Sequence, residues 1–145
     1  MRPLPRPSGF MMWIYDPKSS SNEADGAALF RERLGSSFER VFVEEVARLI
    51  MVTDPRTDRP CDHAGQLMAD LDLLFLGADY EAYAKAIRQE YALVPAEAFA
   101  KGRIAVMERF LGQDKIYQTP LFAHLEKSAR ANVQAEIGQL RETAN

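Results

Sequence analysis

One apolar stretch that carries two carboxylates is the most informative part of this 145-residue chain: Asp70-Leu71-Asp72-Leu73-Leu74-Phe75-Leu76-Gly77. It follows a polar connection that contains Pro55 and Pro60, and a glycine closes it. We predict one helix from about residue 65 to residue 76, with Gly77 as its stop. Residues two apart on a helix point roughly 200° away from each other, so Asp70 and Asp72 are not expected to share a site.

Apolar residues recur at helical spacing on both sides of this stretch. They predict a helix from residue 21 or 22 to Gly35, then one opened by a capping box at Ser36 and Glu39. The core stripe expected for that second helix is Phe38, Val41, Phe42, Val46, Leu49 and Ile50. Further helices are predicted from Asp79 to about residue 91, from Pro95 to Gly112, and from residues 119–120 onwards.

No segment alternates apolar and polar residues as a strand does, so the predicted fold is all-α, a bundle of about six helices. Residues 1–9 contain three prolines and are expected to be irregular, and residues 10–145 are expected to form a single helical domain. A hydrophobic content of 47% is typical of a soluble domain with a core. The apolar run at residues 10–15 is too short to span a membrane.

Charge and cysteine content exclude some classes of protein. A net charge of −3 with dispersed basic residues gives no reason to expect binding to a nucleic-acid polymer. A single cysteine, Cys61, excludes an intramolecular disulfide and is typical of a reducing compartment. We therefore expect a cytoplasmic protein.

Other motifs extend the pattern of residues 70–77 along most of the chain. They are Tyr15-Asp16-Pro17, Ile87-Arg88-Gln89-Glu90-Tyr91, Gly102-Arg103, Ile116-Tyr117-Gln118-Thr119 and Ala129-Arg130-Ala131-Asn132-Val133-Gln134-Ala135-Glu136-Ile137. In this order, from about residue 15 to residue 140, the sequence resembles the predicted metal-dependent phosphohydrolases of the HD superfamily. The resemblance implies an HD-domain-like helical bundle that hydrolyses a phosphate ester or a nucleotide.

The resemblance also implies metal ligands that this chain lacks. The resemblance implies a site in which one His, a His-Asp pair and a later Asp surround one divalent cation. Imidazole with carboxylate suits Mn, Fe, Ni or Zn, whereas carboxylate and water alone suit Mg. Alignment on the turn at residues 15–17 puts Met11 and Met12 at the His-Asp pair. The Pro-rich start leaves no room for the helix of the first His, so an N-terminally truncated domain is expected.

The remaining candidates for metal ligands are Asp72, Asp70 and His63. The resemblance makes Asp72 the last metal ligand. It makes Asp70 either a residue that supports the metal ligands without binding the metal or a residue at the helix surface. His63 is a candidate for a displaced ligand, or else a loop or helix-terminal residue beside Asp62. The carboxylates have an alternative interpretation as inherited remnants, in which case the chain binds no metal.

The candidates for substrate binding are Arg88, Tyr91, Arg103, Tyr117, Arg130 and Asn132. Guanidinium groups match phosphate oxygens, and tyrosine and asparagine add neutral hydrogen bonds. Each of these residues could instead stabilise the fold, the arginines through ion pairs between helices and the tyrosines through hydrogen bonds of their hydroxyl groups. For Arg130, the structural partner would be Glu126, one helical turn away.

Two functions from different classes are consistent with these patterns. The first is a phosphohydrolase-like protein, impaired in this copy, whose partner is a phosphorylated small molecule or a nucleotide. The second is a degenerate HD-fold binding or scaffold module without catalysis. A truncated bundle would expose the apolar surface that its missing helix covered, so we also expect a homodimer or a poorly soluble monomer.

Overall fold

The computed structural model describes residues 20–143, and these residues form seven α-helices and one 3-10 helix, with no strand among them. The all-α prediction is therefore confirmed. The described residues divide into two compact units, 20–72 and 73–143. Met11, Met12 and the turn at residues 15–17 lie outside the described residues. None of the helices between residues 20 and 143 is long and apolar enough to cross a lipid bilayer.

The first unit contains α1 (Asn22–Leu34), α2 (Arg40–Val52) and α3 (His63–Asp72). The predicted ends of α1 are confirmed, because Ser21 and Gly35 are its caps. Ala27 on α1 and Ala47 on α2 are both buried, together with Ile50. Small side chains at these positions allow the two helices to approach closely.

The start and the buried face of α2 differ from the prediction. The capping box is wrong, since Glu39 itself occupies the N-cap position in an extended conformation. Ile50 is buried as predicted, and Val46 and Leu49 are partly buried. The other buried residues are Val43 and Ala47, which were not predicted, and Val41 is 82% exposed. Phe38 and Phe42, which were also predicted to be core residues, are about half exposed. The inward face of α2 is therefore formed by Val43, Ala47 and Ile50, and the larger side chains near the start of the helix lie outside it.

The second unit contains α4 (Leu74–Gly77), α5 (Tyr80–Glu90), α6 (Ala96–Leu111), a 3-10 helix (Pro120–Leu125) and α7 (Glu126–Thr143). Its helix boundaries after residue 78 lie within a residue or two of the prediction, except that the final segment begins as the 3-10 helix. The core is contributed by α4, α6, α7 and the segment before the 3-10 helix, and it consists of Leu76, Met107, Ile116, Tyr117, Ala129, Val133 and Ile137. On α6, Met107 takes the inward position, and its neighbour Val106 is 38% exposed.

The predicted helix over residues 65–76 is interrupted at Leu73. Helix α3 ends at Asp72, and α4 begins at Leu74. The carbonyl oxygen of Leu73 accepts a hydrogen bond from the Tyr117 hydroxyl at 2.9 Å and one from the Leu76 N–H at 3.1 Å. This short turn replaces the regular helical bond, and it explains why seven α-helices are found where about six were predicted.

Candidate functional site

Two of the predicted substrate-binding side chains, Tyr117 and Asn132, meet at the backbone of α4. The Tyr117 hydroxyl donates to the Leu73 carbonyl and accepts from the Gly77 N–H at 3.1 Å. The Asn132 amide donates to the carbonyl of Leu76 at 2.8 Å. These bonds satisfy backbone groups at the ends of a four-residue helix, which has few internal hydrogen bonds of its own. The two side chains therefore hold α4 against α7 and the segment before the 3-10 helix.

Arg130 closes the connection that follows α6. Its guanidinium donates to the carbonyls of Leu111, Gln113 and Asp114 at 3.1, 2.6 and 3.0 Å. It also pairs with the Glu126 carboxylate at 2.9 Å, as the structural alternative predicted. A cation placed on unpaired carbonyls at the C-terminal end of a helix is favourable for both its charge and its hydrogen bonds.

Glu126 binds backbone as well as Arg130. Its carboxylate accepts from the Ile116 N–H at 2.9 Å and from the Tyr117 N–H at 3.1 Å. Burial acts to raise the pKa of Glu126, but the two N–H groups and Arg130 together lower it below its usual value of 4.5. These contacts thus stabilise the charged form of the carboxylate, and its role is structural.

We expect Glu126→Gln to lower the free energy of unfolding by about 1–2 kcal/mol at neutral pH, because a neutral amide accepts weaker bonds from the two N–H groups. The lowered pKa means that the folded form releases the Glu126 proton more readily than the unfolded form. Its contribution is therefore complete above about pH 4.5 and is lost as the pH falls further. Urea unfolding of both proteins between about pH 7 and pH 3 measures this. A difference in stability that stays constant over that range would contradict the assignment.

Arg103 lies in a buried ion pair between α6 and α7. Its guanidinium contacts the Glu136 carboxylate at 3.0 and 3.3 Å, and the two side chains are only 10% and 8% exposed. It also donates to the Tyr83 hydroxyl at 3.2 Å, and the Tyr83 ring stacks on Phe75 at 3.7 Å. Withdrawal from water raises the pKa of the Glu136 carboxyl to about 7. The guanidinium opposes this effect because it attracts the ionised form.

Arg88 and Tyr91, the other two candidates, lie near the C-terminal end of α5. Arg88 is exposed in the last turn, and Tyr91 is the half-buried C-cap residue. The ring of Tyr91 lies 5.8 Å from that of Phe99 at the start of α6. The structure thus gives Tyr91 a packing contact.

The candidate metal ligands all belong to α3 in the first unit. Asp70 is fully buried, so of its two predicted positions the one at the helix surface is wrong. Asp72 is the last residue of α3 and is only partly buried. His63 is the exposed first residue of the same helix, which agrees with its interpretation as a helix-terminal histidine. His124 is exposed in the 3-10 helix of the second unit.

These three side chains do not fit one metal ion. Asp70 and Asp72 point in directions roughly 200° apart on the helix. His63 and Asp70 share a face, but their seven-residue separation places them about 10 Å apart along the axis. Between residues 20 and 143, no three His, Cys, Asp or Glu side chains are grouped so that they could hold a metal ion. In the rest of the sequence, Asp16 is the only residue of these four types.

The side chains that complete these contacts were not among the predicted site residues. Tyr83 and Glu136 both accept hydrogen bonds from Arg103. Ser128 donates to the carbonyls of Gly77 and Leu125. Glu136 and Ser128 lie on α7 beside Asn132 and Arg130, so a polar pattern on that helix was the available signal. The partners lie far away in the sequence and could not be identified from it.

Comparisons of the chain with protein-family models, with curated proteins and with solved structures gave no significant match.

Proposed function

We propose that this chain is a degenerate HD-superfamily protein that acts as a binding or scaffold module without catalysis. The proposal joins the sequence resemblance over residues 15–140 to the placement of the residues that carry it. Membership of the HD superfamily is itself part of the proposal.

The observation that carries the proposal is the structural use of the predicted substrate-binding side chains. Tyr117, Arg130 and Asn132 all bond to backbone groups around α4 and α6. Arg103 is paired with a buried carboxylate. A substrate phosphate would have to compete with these bonds, and breaking them would leave polar groups unpaired at positions that are at least partly buried. The same residues therefore support a stable helical framework better than a phosphate site.

The alternative function is a metal-dependent phosphohydrolase that acts on a phosphate ester or a nucleotide, with Mn, Fe, Ni, Zn or Mg as its cofactor. The burial of Asp70 favours it, since carboxylates are rarely fully buried without a specific role. It requires ligands from outside the described residues or from a second copy of the chain, because the candidates on α3 do not converge.

A hydrolysis assay separates the two functions. Purified protein would be incubated with an aryl phosphate and with a panel of nucleotides, each in the presence of Mn, Fe, Ni, Zn or Mg. The proposal predicts the same background rate for the natural protein and for a variant that carries both Asp70→Asn and Asp72→Asn. A metal-dependent rate that the double variant loses would support the phosphohydrolase and contradict the proposal.

A further inference from the structure

Asp70 differs from the other acidic residues around it in the extent of its burial. It is fully buried. Asp62, which directly precedes α3, is exposed, and Asp72, at the end of α3, is partly buried. A buried carboxylate is costly unless it is paired or hydrogen-bonded, and Asp70 does interact with other groups in the protein. Among the described residues of the first unit, Asp70 is the most buried acidic side chain.

The geometry around Asp70 nevertheless disagrees with a metal site. The nearest motif carboxylate, Asp72, points to another side of α3, and His63 lies two turns away on the helix. Between residues 20 and 143, no three His, Cys, Asp or Glu side chains are grouped so that they could hold a metal ion. Within that part of the chain, Asp70 therefore lacks the co-ligands of a divalent ion, which prefers four to six ligands.

We infer that Asp70 is a structural carboxylate of α3, on which the folded state depends without any metal. This inference rests on the proposed non-catalytic function and extends it, because it gives the acidic motif a role in folding. Loss of the charge should weaken the hydrogen bonds or ion pairs that a buried aspartate requires. Loss of the partly buried Asp72 charge should matter much less.

Thermal unfolding of the full chain tests the inference. The natural protein, Asp70→Asn and the matched control Asp72→Asn would each be melted in EDTA, in Mn²⁺ and in Zn²⁺, with far-UV circular dichroism as the signal. We expect Asp70→Asn to lower the Tm by about 4–8 °C and Asp72→Asn to change it little. We also expect the Tm of the natural protein to be the same in EDTA and in either metal.

The outcomes distinguish failure of the inference from failure of the proposed function. An unchanged Tm for Asp70→Asn, with no response to metal in any protein, would overturn the structural role and leave the non-catalytic function standing. A Tm that rises with metal in the natural protein, and does not rise in Asp70→Asn, would overturn both. If Asp70→Asn is recovered only unfolded, an equal Tm of the natural protein in EDTA and in metal supports the inference, and a higher Tm in metal overturns it.

Discussion

Replacement of Arg103 by alanine is expected to lower the free energy of unfolding by about 3–5 kcal/mol at neutral pH. The substitution leaves the Glu136 carboxyl in the interior without its cation, where it must either take up a proton or remain as an uncompensated charge, and the loss of such a partner is strongly destabilising. It also removes the bond to the Tyr83 hydroxyl and the guanidinium that lies 5.2 Å from the Tyr83 ring. Urea unfolding measured by circular dichroism gives the free energy directly.

The surface pair between the same two helices provides a matched control. Arg141 on α7 contacts Glu108 on α6 at 2.7 Å, but the two side chains are 62% and 51% exposed. Exposed pairs contribute little, because water solvates both charges when the pair is broken. Arg141→Ala should therefore change the stability only slightly. Equal losses for Arg103→Ala and Arg141→Ala would contradict the view that burial determines the strength of the α6–α7 ion pair.

Replacement of Gly77 by alanine should lower the free energy of unfolding by about 2–3 kcal/mol. A Cβ atom at this position would lie 2.7 Å from Cβ of Leu125, 2.9 Å from its carbonyl oxygen and 3.1 Å from the Tyr117 hydroxyl. The Leu125 carbonyl oxygen cannot move without a shift of the Leu125 backbone. The Tyr117 hydroxyl cannot move without loss of its hydrogen bond from the Gly77 N–H. The added methyl group must therefore push α4 away from the 3-10 helix.

Gly138→Ala is the control for the change from glycine to alanine itself. Gly138 lies in the interior of α7, and a Cβ atom there would meet nothing within 4 Å. Alanine should stabilise this helix by about 0.5–1 kcal/mol, since glycine is the weaker helix former. A loss of stability for Gly138→Ala as large as that for Gly77→Ala would show that steric contact is not the cause at position 77.

The helices of the second unit were predictable because their signals are local. Asp79, Pro95 and Gly112 are residue types that are common at helix ends, and each lies within one residue of the observed boundary. The break at Leu73 was not predictable, because it depends on a hydroxyl 44 residues further along the chain. Local preference alone would have continued that helix.

The chemistry of the candidate site was predictable only in part. The types of side chain were identified correctly as hydrogen-bonding groups, but their partners lie 33 residues away for Arg103 and 56 for Asn132. The two carboxylates on α3 pose a similar problem. Apolar residues occur on both faces of that helix, so the pattern does not reveal which aspartate faces the interior.

The most direct test of the non-catalytic account is the metal content of the purified protein. The chain would be dialysed against Mn, Fe, Ni and Zn in turn, then against metal-free buffer, and measured by elemental analysis together with Asp72→Asn as the control. The account predicts no metal retained in stoichiometric amount by either protein. About one tightly held ion per chain in the natural protein, absent from Asp72→Asn, would contradict it and support a phosphohydrolase site built around α3.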